Sequence, residues 1–135
     1  MSDVASAKSG GRVISASCYD ADPPPSLVID GNDRTFWSTT GLFPQEFIIQ
    51  LGQTAQVTRI KTLTTNVRRI VVERSEGVTP SSWEKVYEMD IPDVGGRLQV
   101  ESNQVQRISA NFLKFKIISG WGDFATVHKV SVEAK

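Results

Sequence analysis

Residues Leu113–Ile117 read Leu-Lys-Phe-Lys-Ile, with apolar and charged side chains alternating strictly. A period of two puts Leu113, Phe115 and Ile117 on one face and Lys114 and Lys116 on the other, which is the pattern of a half-buried antiparallel strand. No window of the chain sustains a helical repeat over the ~10–12 residues an ordinary helix occupies. Short runs rich in Val, Ile, Thr and aromatics recur instead, predicting strands near Val13–Cys18, Phe47–Leu51, Val57–Leu63, Arg69–Glu73, Glu84–Met89, Leu98–Val100, Gln104–Ile108, Leu113–Ile118 and Val127–Glu133. Turn residues at Gly52, Ser75–Gly77, Thr79–Ser82, Asp93–Gly96, Ser102–Asn103 and Gly120–Asp123 separate them. In the last strand the apolar parity slips between Val127 and Val130, which calls for a β-bulge near His128–Lys129. The only helical signal is a turn at Ser26–Ile29, after Pro23–Pro25. The expected fold is all-β: a single antiparallel β-sandwich of jelly-roll type over residues 12–135, preceded by a mobile lead-in at residues 1–11 that the fold can ignore.

The most loaded segment is Leu27–Trp37, LVIDGNDRTFW. Gly31 and Asn32 tolerate left-handed backbone angles and so let the chain turn sharply. Asp30, Asp33 and Thr35 then crowd carboxylate and hydroxyl oxygens into one turn, the donor type a hard cation such as calcium requires. Leu27, Val28 and Ile29 before it, and Phe36 and Trp37 after it, would anchor the turn to a core. The alternative is that Asp30 and Asp33 only cap the turn by accepting backbone N–H bonds.

Several classes of function are disfavoured. Fifteen basic and fifteen acidic side chains cancel, whereas nucleic-acid binding calls for a basic surplus on one face. The densest basic patch, Arg68–Arg69, is followed by Glu73 and Glu76 and reads as a solvated strand face. No apolar stretch approaches the ~20 residues a bilayer span needs, and the first residues lack the apolar core of a secretory signal. A single cysteine, Cys18, forms no internal disulfide and suits the cytoplasm. No nucleophile motif surrounds Cys18 or His128, and the carboxylates Asp20, Asp22, Asp30 and Asp33 crowd one loop region rather than forming a glycosidase pair. An enzyme is therefore not expected. Trp121 and Phe124 in SGWGDFAT could stack a sugar, but they flank a glycine turn with no Arg or His beside Trp121 in sequence, and plugging the sandwich end is the plainer role.

The IDGN-x-x-T-F-W run on a jelly-roll pattern resembles the galactose-binding-like superfamily of discoidin (F5/8 type C) domains. The longer stretches IDGNDRTFWSTTGLFPQEFIIQL and FATVHKVSVEA look like its small subunits of the intraflagellar transport B complex, a family that also carries a heat-shock-protein-beta-like name. The resemblance spans about Arg12 to Ala134 and implies a non-enzymatic subunit of the ciliary transport train. It implies a heterodimer with a Rab-like small GTPase of the same complex, contact with other subunits, and a location in cytoplasm, cilium or flagellum and basal body. It further implies a structural calcium ion held by Asp30, Asp33 and Thr35, with carbonyls from Leu27 and from around His128. Relatives often add a glutamate from the last strand; here that position is Lys129, with Glu133 the nearest carboxylate, and water or carbonyls would fill the gap. Leu42, Phe43, Arg68, Arg69 and Trp121 are of the residue types that centre a protein interface. An intracellular carbohydrate- or lipid-recognition module is the competing class.

Overall fold

In the computed structural model, the structure describes residues 3–17, 28–30, 34–39, 43–80, 82–122 and 124–134. Among the described residues, seven strands follow a 3-10 turn at Ala7–Ser9: β1 Arg12–Ala16, β2 Trp37–Ser38, β3 Gln45–Thr65, β4 Val67–Ser75, β5 Glu84–Asp90, β6 Gln99–Gly120 and β7 Thr126–Ala134. All pairings are antiparallel in the order β2-β7-β3-β6-β4-β5, with β1 added to β3.

The two long strands make this sheet a sandwich. The first part of β3 lies between β1 and the last part of β6 (Phe47↔Phe115), whereas its second part lies between β7 and the first part of β6 (Ile60↔Val132, Ile60↔Asn103). The β3–β6 ladder breaks between Gln50 and Ala55, where only Asn111 separates Phe112 from Ala110 on the partner strand. Extra residues on one strand sharpen its bend. The chain folds over here, so that β1-β3-β6-β4-β5 forms one layer and β2-β7-β3-β6 the other.

Fully buried Trp37 of the second layer meets Phe47 of the first edge-on at 5.3 Å, and Phe47 stacks on Phe115 at 5.1 Å. Leu113, Phe115 and Ile117 are all buried, as their alternation requires. Val28, Ile29 and Trp37 are buried too, so the ends of the Asp30 loop are fixed to the core.

The runs predicted separately at Phe47–Leu51 and Val57–Leu63 are one strand with a fold-over, and those from Leu98 to Ile118 merge into β6. Ser102 and Asn103, expected to turn, pair with Lys61 and Ile60 instead. Their side chains find partners on neighbouring strands: Ser102 Oγ accepts from Arg59, and Asn103 Nδ2 donates to Met89 Sδ at 3.5 Å. At the end of the predicted helical turn, Val28 and Ile29 are in 3-10 conformation; Ser26 lies outside the described residues.

Residues 3–11, read as a lead-in, are packed onto the sandwich. Asp3 accepts the N–H groups of Ala5 and Val132 at 3.0 and 2.9 Å, and Val4 N–H donates to Val132 O. Val4 and Ala5 are buried. The 3-10 turn then lies against the fold-over so closely that a Cβ on Gly52 would sit 1.9 Å from Ser9 O. Gly52 is thus the contact point of the N-terminal segment rather than a hairpin turn.

Candidate functional site

The Asp30 loop returns to the sheet through a short hydrogen bond: Thr35 Oγ1 donates to Asp30 Oδ2 at 2.7 Å. Two residues on, Trp37 pairs with Val127, which sets Phe36 beside His128 with ring centroids 5.1 Å apart. On β7 the register slips here, since Leu63 faces Lys129 but Thr64 faces Val127. His128 is therefore the extra residue of a bulge, as the apolar parity predicted. A bulge takes its residue out of the regular ladder. Next to it, the buried Thr64 hydroxyl has no hydrogen-bond partner among the described residues.

Asp30, Thr35 and the bulge at His128 thus share one corner. The described donors are all oxygens apart from the imidazole, which suits a hard cation. Asp33 and Leu27 lie outside the described residues, and no group of three or more His, Cys, Asp or Glu side chains forms a metal cluster among those described. Glu133 is not part of the corner. It lies five residues along β7, on the order of 15 Å, and its carboxylate meets Lys61 and Arg59 at 3.4 and 3.9 Å.

The second cluster forms at one end of the sandwich. Phe43 packs so closely on Gly120 that a Cβ there would lie 2.8 Å from its ring. Trp121 N–H donates to Asn66 O, and its indole Nε1–H donates to Ile91 O at 2.8 Å. The guanidinium of Arg68 lies 4.9 Å from the centre of that indole. Arg68, Arg69, Asp90, Ser119 and Trp121 line a concavity of about 400 Å³. Leu42 lies outside the described residues; Phe43, Arg68 and Trp121 come together at this end.

Two readings from sequence change here. Trp121 and Phe124 do not plug the sandwich, for they remain 42% and 53% exposed. An arginine does stand beside Trp121, delivered by β4 and invisible along the chain. Arg69, on the same strand, donates to β5, to Glu88 at 2.6 Å and Asp90 at 2.7 Å. Its pKa is raised, chiefly by the Glu88 hydrogen bond. The Glu88 carboxyl is held below its usual range by hydrogen bonds from Lys85 and then Arg69.

Residues 12–130 match the F5/8 type C domain family. The chain is 47% identical over 132 residues to intraflagellar transport protein 25 of Chlamydomonas reinhardtii, covering 98% of this chain and 69% of that protein. It is 38% identical to the human homolog of that protein, over 97% of this chain and 91% of the relative. Among solved structures, a family 32 carbohydrate-binding module from Clostridium perfringens in complex with GalNAc-β-1,3-galactose superposes with a TM-score of 0.83 at 20% identity, covering 98% of this chain and all of the module (100%). A chitosan-binding module of a Paenibacillus chitosanase/glucanase gives 0.84 at 19% identity, over 99% of this chain and 100% of the module. At these identities the likeness establishes the galactose-binding-like jelly roll.

Proposed function

Because this chain belongs to the F5/8 type C domain family and, within it, to the intraflagellar transport protein 25 family, we propose that it is a non-enzymatic subunit of the intraflagellar transport B complex. In this reading it works in the cytoplasm and in the cilium or flagellum, and it forms a heterodimer with a Rab-like small GTPase of that complex. The observation that carries the reading is 47% identity sustained over 98% of the chain. Co-expression with the GTPase tests it: one heterodimer peak on size exclusion is expected, and two separate peaks overturn it.

We further propose that the loop corner holds a structural calcium ion. Asp30 and Asp33 would supply carboxylate oxygens, Thr35 its hydroxyl, and Leu27 and His128 backbone carbonyls. Bound there, the ion would tie the loop to the bulge of β7 and supply no chemistry beyond that. Supporting this are the convergence of Asp30 and Thr35 and the proximity of the bulge. Lys129 and the distance of Glu133 leave the remaining positions to water or carbonyls.

One observation favours a second reading, an intracellular carbohydrate-recognition module: Arg68 and the exposed face of Trp121 form an aromatic and cationic pair at a loop end. The adaptor reading is stronger because Trp121 already uses its indole N–H on Ile91 and one ring face on Arg68. Selective binding on a glycan array would reverse that order.

A further inference from the structure

The two long strands leave one border of the second layer open. Strand β4 pairs with β6 only from Phe112 to Gly120, so Gln99–Ser109 has β3 on one side and no strand on the other among the described residues. From Gln99 to Gln104 this border is in unbroken register with Thr64–Arg59, and it contains neither Lys nor Pro. Its one charge, Glu101, lies opposite buried Thr62 and acts on Tyr87 at the groove face rather than on the Val100 face. Natural sheets usually blunt such an edge with charge, proline or a bulge, because unpaired N–H and C=O groups template another strand. The irregularity of β6 begins only beyond Gln104, where the register jumps to Ile108.

Both faces of this border are chemically distinct. Outward, Val100 is 65% exposed beside Leu63, and the two help line a shallow hollow of about 200 Å³ with Lys61. Next along the edge, Ser102 Oγ accepts from Arg59 Nη1 at 2.9 Å, which lays the guanidinium over β6. Arg59 and Lys61 share Glu133, on β7 at the far side of β3, so positive charge prevails towards the edge. Inward, Val86, Tyr87, Val105 and Ile108 line a groove of about 420 Å³ between β5 and β6.

We infer that the Gln99–Gln104 edge is a docking site for an extended, acidic segment of a partner protein, added to the sheet as a further strand. Main-chain hydrogen bonds to β6 would supply affinity and alternate side chains specificity. The spacing sets the pattern: an apolar residue beside Val100 and Leu63, and a carboxylate two positions away beside Ser102 and Arg59. The intervening side chains turn towards the groove lined by Tyr87 and Val105. A peptide fits better than an anionic lipid surface, because the site offers a backbone edge and a small group of cations, Arg59, Lys61 and Lys129, of which the first two already share Glu133. The inference rests on the reading of this protein as an interaction subunit, but not on the identity of the GTPase.

The test titrates the full-length chain with the blocked peptide Thr-Glu-Thr-Ile-Thr-Glu-Thr, whose symmetry presents the same pattern in either strand direction. Amide NMR is expected to show saturable shifts confined to Gln99–Gln104 and its neighbours Lys61, Leu63, Val86 and Tyr87, with slowed hydrogen exchange at alternate β6 amides. Val100→Lys, at an exposed position, should keep the native spectrum and weaken binding about tenfold, corresponding to ~1.4 kcal/mol. Ser102→Pro should abolish it while the amide spectrum away from the edge stays native. The inference is overturned by shifts centred elsewhere, by absence of binding, by equal binding of Thr-Lys-Thr-Ile-Thr-Lys-Thr, or by anionic vesicles perturbing the edge where the peptide does not. Loss of peptide binding with GTPase co-elution intact rejects this site and leaves the adaptor reading standing; loss of co-elution with peptide binding intact does the reverse.

Discussion

Arg68 of β4 stands over Trp121, its guanidinium 4.9 Å from the indole centre, although the two residues lie far apart in sequence. The contact arises because Trp121 N–H is held by Asn66 O, at the turn into β4, while its indole N–H is held by Ile91 O. Two backbone acceptors thus orient the ring, and the cation covers one face of it. Aromatic and arginine side chains fixed in place and still partly exposed are what an interface centre uses.

Trp121→Ala should therefore weaken association with the GTPase more than it weakens the fold. A cation–π contact at an exposed site contributes roughly 0.5–1 kcal/mol, so Arg68→Ala alone should leave the thermal midpoint nearly unchanged. Calorimetric titration of the partner into each variant, with melts alongside, checks both statements. Unaltered affinity in Trp121→Ala would remove this end of the sandwich from the interface.

The loop corner predicts a calcium-dependent melt. A ligand selective for the native state at about 100 times its dissociation constant stabilises by ~2.7 kcal/mol. The midpoint should rise with calcium over chelator in the native sequence. The shift should vanish in Asp30→Asn and shrink in Thr35→Val, which loses the hydroxyl. The same midpoint in calcium and in chelator would contradict the site.

Asp3 joins the N-terminal segment to β7 through the N–H groups of Ala5 and Val132. Asp3→Ala leaves part-buried donors unpaired and should cost roughly 1–3 kcal/mol, read as a shift of the urea midpoint. Gly52→Ala should be more damaging, since its Cβ would meet Ser9 backbone at 1.9 Å. A midpoint unchanged in both variants would show that residues 3–11 add nothing to stability.

Burial pushes the Tyr87 phenol up to about 12, with a hydrogen bond from Asn103 opposing the shift and Glu101 adding to it. The folded value lies above the ordinary 10.0, so the native state holds this proton more tightly than the unfolded chain does. Its contribution is fully present below pH 10 and is lost as pH rises through 10 to about 12. The loss is of order 2–3 kcal/mol. Denaturant midpoints across this range should fall less steeply in Tyr87→Phe than in the native sequence, and parallel curves would refute the assignment.

What was legible in the sequence followed from period and parity. The alternation of Leu113–Ile117 and the slip at His128 each mapped directly onto burial and register, because a pleat leaves a side chain only two directions. What was not legible depended on distance. Gly52 and Ser102–Asn103 looked like turns because turn residues and strand-edge or close-approach residues share the same chemistry. The pairing of Arg68 with Trp121, and of Arg69 with Glu88 and Asp90, needed the β4–β5 and β4–β6 registers, which no local window contains. Asp30 and Thr35 were legible as a pair since five residues and one turn bring them together.

That this chain acts as a protein-binding subunit of the transport complex is tested most directly by co-expression with the Rab-like small GTPase followed by size exclusion with light scattering. A single peak with the mass of a one-to-one heterodimer is predicted, and two peaks at the masses of the separate folded chains would contradict it.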